Sequence, residues 1–514
     1  MTRFGIISAA ALTVFLAGCA LILRSQTTAP RQAGLAIVLS LPQPEVIRGT
    51  SIPFTITLTN HGKLPVEVPD ASPANRAFRV RVTGKNGFES EGDTASIRIR
   101  EGEYIEEPRA ISRKKIAAGE KLVVTGDLIS WIGELAPGSY SVAAQFLNGN
   151  EGILSSRPAG IRISEASIVY SGRPSKAPFL AHAPFDTAWI QSGPAGADVY
   201  LLQSSPNAPD LAYSNRMAAH IPETVEPRSA LNCNATQASR HVAWILGNTF
   251  QAVLVTPGIP PPVPATVRLP AGKMEIVGLP FTSATGSLFA MLASREADAV
   301  LMMELRADGK PVFTPFEGIQ PLRAPRGVLW GRDDSVTIAW TGLDGSSVFA
   351  AGMPLAPGSW KMEPARILTG SFPVIDITLA QRPRTSGQGW DRLAVVLSRS
   401  SSGREFYRRR IEIATRKVES EERFSADPAV PAALLECALA GDLTPRYLFA
   451  GTDGNARFVS ADFSRIVPLV ARSGKPVRAA DFPAILIPSE LSAKRGIYVR
   501  YIEDGNRFAC LKVE

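Results

Sequence analysis

Histidine and cysteine are scarce in this chain, with four of each in 514 residues. His61, His182, His220 and His241 are irregularly spaced, so separate imidazoles are the stronger expectation. A metal held by His182, His220 and His241 is the weaker alternative. H-E-x-x-H, G-x-S-x-G and C-x-x-C are all absent, which removes the usual marks of zinc proteases, α/β-hydrolases and thioredoxin-like enzymes. No glycine-rich loop leads from a strand into a helix, so nucleotide phosphates have no cradle and no cofactor is expected. Strong charge is also missing. The formal net charge of +8 is a mild excess over this length, and no basic stripe alternates with aromatics. Nucleic acid is therefore not an expected partner. The one basic run, Arg408-Arg409-Arg410, falls in an alternating segment, where a solvated face with one edge contact is expected.

Glycine (42) and proline (41) are both plentiful, as turn-rich β proteins require. Apolar residues make up 45% of the chain, enough for sizeable cores, and the length calls for two or three domains.

The N-terminus is the most specific stretch. Arg3 precedes an uncharged apolar run, Phe4 to Phe15, followed by Leu16-Ala17-Gly18-Cys19. A positive start, an apolar core and small residues form an export signal. L-A-G-C resembles the bacterial lipobox, the cleavage site of lipoproteins. That resemblance implies a signal peptide over 1–18 and lipid attachment at Cys19, with several acyl chains for stable anchoring. Ala20 after the cysteine resembles the outer-membrane sorting pattern of Gram-negative cells. The expected place is thus the outer membrane, facing the periplasm or the cell surface. Two alternatives stand. Ala20 to Leu23 prolongs the apolar run to about 20 residues, long enough for an uncleaved inner-membrane anchor with periplasmic domains, and plain cleavage is the third reading.

Residues 19–34 read as a tether. From Leu35 to Ser164 short strands alternate. Ile52, Phe54, Ile56 and Leu58 share one face, and Phe78, Val80 and Val82 share another before the turn at Asn86-Gly87. The pattern "VIRGTSIPFTITLTNHGKLPVEV … LAPGSYSVAAQF" resembles bacterial immunoglobulin-like or fibronectin-like modules. "LAPGSY" looks like a tyrosine corner, in which the Tyr140 hydroxyl bonds back to the backbone a few residues upstream. The resemblance implies an Ig-like β-sandwich over 35–165. The acidic segment Glu89 to Glu107 has no calcium-loop pattern and is expected to be a charged edge that discourages aggregation.

From Ala166 a hairpin recurs. Seven are legible, with turns at Gly193 to Gly196, Gly247-Asn248, Arg295-Glu296, Asp344-Gly345, Ser400 to Gly403, Asp453-Gly454 and Asp504-Gly505. Their spacing is roughly 50 residues, the period of propeller blades. Ala-Trp recurs at Ala188-Trp189, Ala243-Trp244 and Ala339-Trp340. A strand-like stretch precedes each hairpin and another follows several of them, as "KVESEERF" does, giving four strands per blade. The expected fold is all-β: an Ig-like sandwich followed by a seven-bladed β-propeller over 166–514, with six or eight blades as neighbouring possibilities. The Trp-Asp repeat, the paired glycines of kelch motifs, the Asp box and S-P-D-G are absent, so period alone assigns it. The last blade shows three strands, and the fourth is expected from Ala166 to Gly172 at the start of the domain, closing the ring.

Glu275, Asp376 and Glu436 each interrupt an apolar strand expected to be innermost in its blade. A buried carboxylate needs a partner or water. A pair about 5–10 Å apart could cleave a glycan, as acid with base or nucleophile. The stronger expectation is a binding or scaffold protein held to the membrane, with envelope proteins or glycans as partners. Cys233, Cys437 and Cys510 match no metal spacing and are expected to be buried, inert thiols.

Overall fold

The protein is described by a computed structural model. It describes residues 34–85, 87–96, 111–148, 152–165, 167–171, 185–193, 196–205, 208–221, 229–232, 240–255, 262–270, 274–283, 286–294, 299–306, 308–316, 323–331, 335–355, 363–384, 389–425, 433–440, 442–487 and 496–514. Cys19, Cys233 and His182 lie outside them, as does the segment from Ile97 to Ala110 with its four glutamates. The chain divides into two compact units. Of the described residues, 34–46, 52–96 and 111–164 belong to the first, and 47–51 and 165–514 to the second.

In the first unit, β1 (Leu35–Ser40), β3 (Pro53–Asn60) and β8 (Lys121–Asp127) form one sheet. A second runs β2 (Glu45–Ile47), β11 (Ala159–Ser164), β9 (Gly138–Leu147), β5 (Phe78–Gly84) and β6 (Glu89–Asp93), with β10 (Ile153–Ser155) beside β9. β4 (Val66–Pro69) pairs with β7 (Arg113–Ile116). The inward residues of the two larger sheets share one core, with Ile56, Leu58, Phe78, Val80 and Phe146 wholly buried. The alternation in β3 thus places its apolar face as the sequence requires. Helix α1 (Leu128–Ile132) is capped by Asp127, whose side chain accepts from Ile129 N. Its Trp131 meets Phe54 edge-on at 4.8 Å. The Tyr140 hydroxyl donates to Ala136 O at 2.7 Å, the bond expected of a tyrosine corner. Edge strand β6 is charged, with Glu91 bonded to Arg79 at 2.9 Å and Glu89 to Arg81.

Among the described residues, the second unit forms seven antiparallel sheets in series. The first holds β12 (Ile168–Ser171), β13 (Phe185–Gly193), β14 (Gly196–Ser205) and β15 (Ala208–Ile221), and the second β16 (Ser229–Asn232), β17 (Arg240–Leu246), β18 (Thr249–Val255) and β19 (Ala265–Arg268). The third holds β20 (Met274–Ile276), β21 (Phe281–Thr282), β22 (Leu288–Ser294), β23 (Ala299–Leu305) and β24 (Pro311–Pro315), and the fourth β25 (Arg323–Trp330), β26 (Ser335–Thr341), β27 (Val348–Pro354) and β28 (Ala365–Leu368). The fifth holds β29 (Val374–Pro383), β30 (Trp390–Arg399), β31 (Glu405–Glu412) and β32 (Lys417–Ser425), and the sixth β33 (Ala433–Leu439), β34 (Pro445–Ala450), β35 (Ala456–Val459) and β36 (Ile466–Pro468). The seventh holds β37 (Ala484–Leu486), β38 (Tyr498–Glu503) and β39 (Arg507–Lys512). The strand pairs of all seven hairpins read from the sequence form, and the turn at Arg295-Glu296 lies outside the described residues. First strands of neighbouring sheets lie side by side, as β25 with β29, β29 with β33 and β33 with β37 do. This is a propeller-type organisation.

One joint recurs between sheets. The hairpin glycine needs a positive φ, and Gly345, Gly454 and Gly505 have 68°, 76° and 72°. Each turns its carbonyl to the chain that opens the next sheet: Gly345 O accepts from Val374 N, Gly454 O from Ala479 N and Gly505 O from Ile168 N, all at 2.9 Å. The third of these joins the seventh sheet to the first.

Two expectations are corrected here. Ile168 to Ser171 does not complete the seventh sheet; it pairs with β13 and belongs to the first. The alternating pattern identified a strand but not its neighbour, and the seventh sheet meets the first through a turn and side chains instead. Arg408 and Arg409 are not a solvated face either. Their side chains are only 14% and 12% exposed, lying against β32 with Arg408 paired to Glu422 and Arg409 to Glu421. The Arg408 guanidinium also lies 4.7 Å from the Phe424 ring centre. The apolar stems are covered while the charged ends find carboxylates.

Candidate functional site

Glu275, Asp376 and Glu436 stand on β20, β29 and β33, the first strands of the third, fifth and sixth sheets. Glu436 is buried, and its Oε2 accepts from the backbone N–H of Ile485 on β37 at 2.8 Å. It therefore ties the sixth sheet to the seventh. Asp376 accepts from the Thr378 hydroxyl at 2.7 Å. Next to Glu436 in the chain, the Cys437 thiol is pushed well above the ordinary thiol range by burial and then by Asp376. Such a thiol stays protonated and inert. By exposure Cys437 and Cys510 are half-buried, short of the full burial expected of them. Glu275 stays on the third sheet and is half-buried.

The same region continues outward as Tyr447 and Arg408. Tyr447 is fully buried beside Cys437 on the adjoining strand, and burial raises its hydroxyl pKa. An aromatic cluster of Phe406, Phe449 and Phe463 closes around it. The arrangement offers a hydrogen bond between the sixth and seventh sheets.

The described histidines take separate roles. His220 on β15 lies 2.6 Å from Asp198, and His241 on β17 lies 3.1 Å from the Thr282 hydroxyl. No metal-holding group of His, Cys, Asp and Glu occurs among the described residues. Burial pulls His241 down to about 4. Between that value and the ordinary 6.5, the unfolded chain binds a proton that the folded protein refuses, so stability falls as pH drops through this window. We expect about 2 kcal/mol to be lost on going from pH 7.5 to pH 4 on this account. Denaturant midpoints at the two pH values check it, and His241→Gln should flatten the dependence. An equally steep fall in that variant would place the effect elsewhere.

A second buried polar cluster was not anticipated from the sequence. Arg500 on β38 is 3% exposed. Its Nη1 donates to Thr187 Oγ1 at 2.6 Å and its Nη2 to Ser204 Oγ at 2.5 Å, both on the first sheet. Asp186, which accepts from Gln203 Nε2 at 2.9 Å, is the nearby countercharge. Burial pulls the Arg500 pKa below its ordinary value, opposed by Cys510 and Asp186. Trp189 and Phe508 meet edge-on at 5.7 Å beside this cluster. A signal for it existed: Arg500 interrupts the apolar strand "IYVRYI" as the three carboxylates interrupt theirs.

No protein-family model matches the chain, and no curated protein matches it. Among solved structures, an oligogalacturonate lyase in complex with manganese aligns over 67% of this chain and 88% of its own at 8% identity, TM-score 0.39. A quinonprotein alcohol dehydrogenase-like protein from Bacteroides thetaiotaomicron covers 92% and 94% at 10% identity, TM-score 0.35. The Aleuria aurantia lectin, a six-bladed β-propeller, covers 55% and 90% at 12% identity, TM-score 0.30. Likenesses this distant name no activity for this chain.

Proposed function

We propose that the protein is a lipid-anchored envelope protein that presents a seven-bladed β-propeller as a rigid face for binding a protein or a glycan. In this reading Cys19 carries the acyl chains, residues 20–34 are the tether, and the first unit is an immunoglobulin-like spacer. The order of seven sheets and the recurrence of one glycine-carbonyl joint, including from last sheet to first, support the blade number.

Binding rather than glycan cleavage rests on one observation. The Glu436 carboxylate is spent on a backbone N–H of the next sheet, at 2.8 Å. A carboxylate held this way is a framework acceptor. A general acid or base needs its oxygens directed at a substrate. Gln can replace that acceptor, so Glu436→Gln should cost under about 1 kcal/mol, while Glu436→Ala, which orphans the Ile485 N–H, should cost about 2–3 kcal/mol. Chemical denaturation measures both. Abolished glycan turnover by Glu436→Gln with intact folding would reverse the assignment to an enzyme.

Two further measurements address place and partner. Metabolic labelling with palmitate should mark the wild type and not Cys19→Ser; equal labelling would remove the lipid anchor. Crosslinking in intact envelopes should capture a bound protein or glycan on the second unit.

A further inference from the structure

The chain enters the first unit at Gly34, and one buried side chain builds the end of the sandwich around that point. Asn60, at the end of β3, is wholly buried. Its Nδ2 donates to Leu64 O at 2.9 Å and to Ile116 O at 3.1 Å, and its Oδ1 accepts from Gly62 N at 2.8 Å. Its backbone adds two more bonds: Asn60 O accepts from Gly119 N at 2.7 Å, and Asn60 N donates to Glu120 O at 3.1 Å. His61 N donates to Gly34 O at 2.7 Å. Two loops, 61–65 and 117–120, are thereby fixed beside the point of entry.

This tip shows apolar and basic groups to solvent. Leu64 is 76% exposed, and Pro65, Ala117 and Ala118 are exposed in the same two loops. Lys63 lies in the first loop, Lys115 just before the second and Lys121 just after it, all exposed. Glu67 stands opposite Lys115, and the Glu120 carboxylate is turned back to accept from Ala117 N at 2.8 Å. A single exposed leucine is ordinary. One held on a fixed tip among lysines, at the end where the tether joins, fits a bilayer surface. There an apolar side chain enters the headgroup layer while ammonium groups stay with the phosphates.

We propose that this tip rests on the anionic phospholipid surface to which the chain is anchored, with Leu64 in the headgroup layer and Lys63, Lys115 and Lys121 against the phosphates. The contact presupposes the lipid attachment at Cys19 proposed above. Residues 20–33 span at most about 50 Å even when fully extended. The Gly34 end therefore stays close to the bilayer at a high effective concentration, where a contact too weak to recruit a free protein still holds. Its consequence is a first unit with one preferred orientation on the membrane.

Amine labelling reads this contact directly. The full-length lipidated protein is placed on vesicles of phosphatidylethanolamine with phosphatidylglycerol, or of phosphatidylcholine alone, and acetylation of each lysine is followed by mass spectrometry. Lys310 and Lys475, exposed lysines of the second unit, serve as internal standards. Relative to these, Lys63, Lys115 and Lys121 should react at least about threefold more slowly on the anionic vesicles than on phosphatidylcholine, and high salt should erase the difference. The double variant Lys63→Glu with Leu64→Glu should abolish the protection of Lys115 and Lys121 with melting unchanged, since both positions are exposed. Should that variant fail to fold, the two vesicle compositions still decide. Equal labelling on both compositions, by a protein that floats with the vesicles, overturns the contact and leaves the anchor standing. Protection that survives the double variant overturns it as well. A protein that floats with neither kind of vesicle removes the anchor and this contact together.

Discussion

Arg500→Ala should destabilise the second unit by about 3–4 kcal/mol, because it empties a buried site and leaves two buried hydroxyls without their donor. Those hydroxyls, Thr187 Oγ1 and Ser204 Oγ, lie 2.6 and 2.5 Å from the guanidinium nitrogens. The loss should be local at first. Hydrogen exchange should quicken in β12, β13 and β39 before it changes in the fourth or fifth sheet, since local opening follows the weakest packed boundary. Arg500→Lys should recover little, because one ammonium cannot reach both hydroxyls in the geometry of a planar fork. A quadruple variant, Arg500→Met with Thr187→Val, Ser204→Ala and Asp186→Asn, should recover much of the loss of the Arg500→Ala variant, because the buried Asp186 is no longer left charged without its cation. Denaturant titration of the four proteins tests this. Arg500→Ala melting within about 0.5 kcal/mol of wild type would mean that the guanidinium is replaceable by water.

Gly92→Ala should destabilise the first unit by about 3 kcal/mol, through a clash that no rotamer relieves. A Cβ at Gly92 on β6 would lie 2.2 Å from Trp131 O and 2.5 Å from the Trp131 carbonyl carbon. Both are backbone atoms of α1, and the helix cannot retreat freely. Its first turn is fastened by Asp127, and Trp131 is wedged against Phe54. The expected signature is a loss of near-ultraviolet dichroism from Trp131 together with lower stability. Gly87→Ala is a useful contrast, because a Cβ there would meet nothing within 4 Å, although its φ of 73° still carries a modest backbone strain. Equal effects at the two sites would show that the close approach to α1 does not govern Gly92.

The hairpins were legible because their turns need glycine at a positive φ and their strands need a period of two. Asp344-Gly345, Asp453-Gly454 and Asp504-Gly505 carry both signals, and in each hairpin the aspartate or its neighbours settle the turn. Asp344, for example, accepts from Ser346 N, Ser347 N and Ser347 Oγ, and the Ser347 hydroxyl chiefly holds its pKa down to about 2. The Ala-Trp repeat was legible for the same reason, with Ala188, Ala243 and Ala339 wholly buried and each tryptophan beside them at 5% exposure or less.

Neighbourhood was not legible. Alternation says which side of a strand is apolar and is silent about which strand lies beside it. Ile168 to Ser171 could have paired at either end of the unit, and the outcome was set by contacts far along the chain, such as Ile168 N to Gly505 O. The carboxylates show the same limit. Their places on β20, β29 and β33 followed from the pattern, but the partner of Glu436 is a backbone group 49 residues away, which no side-chain pattern could reveal. Arg500 was visible as a charge in an apolar strand. Its partners, Thr187 and Ser204, are about three hundred residues distant in sequence, with separations of 313 and 296.

The glycine-carbonyl joint has a bearing on inheritance. A contact made by one main-chain carbonyl and one main-chain N–H asks nothing of the side chains on either partner, beyond a residue that tolerates the turn. Three of the seams in this unit are fastened in that manner, so substitutions can accumulate in the packed faces, one compensating another, while the seams keep their geometry. Lineages built on such fastenings can drift until no common signature survives in their sequences, and still assemble their sheets in the same order.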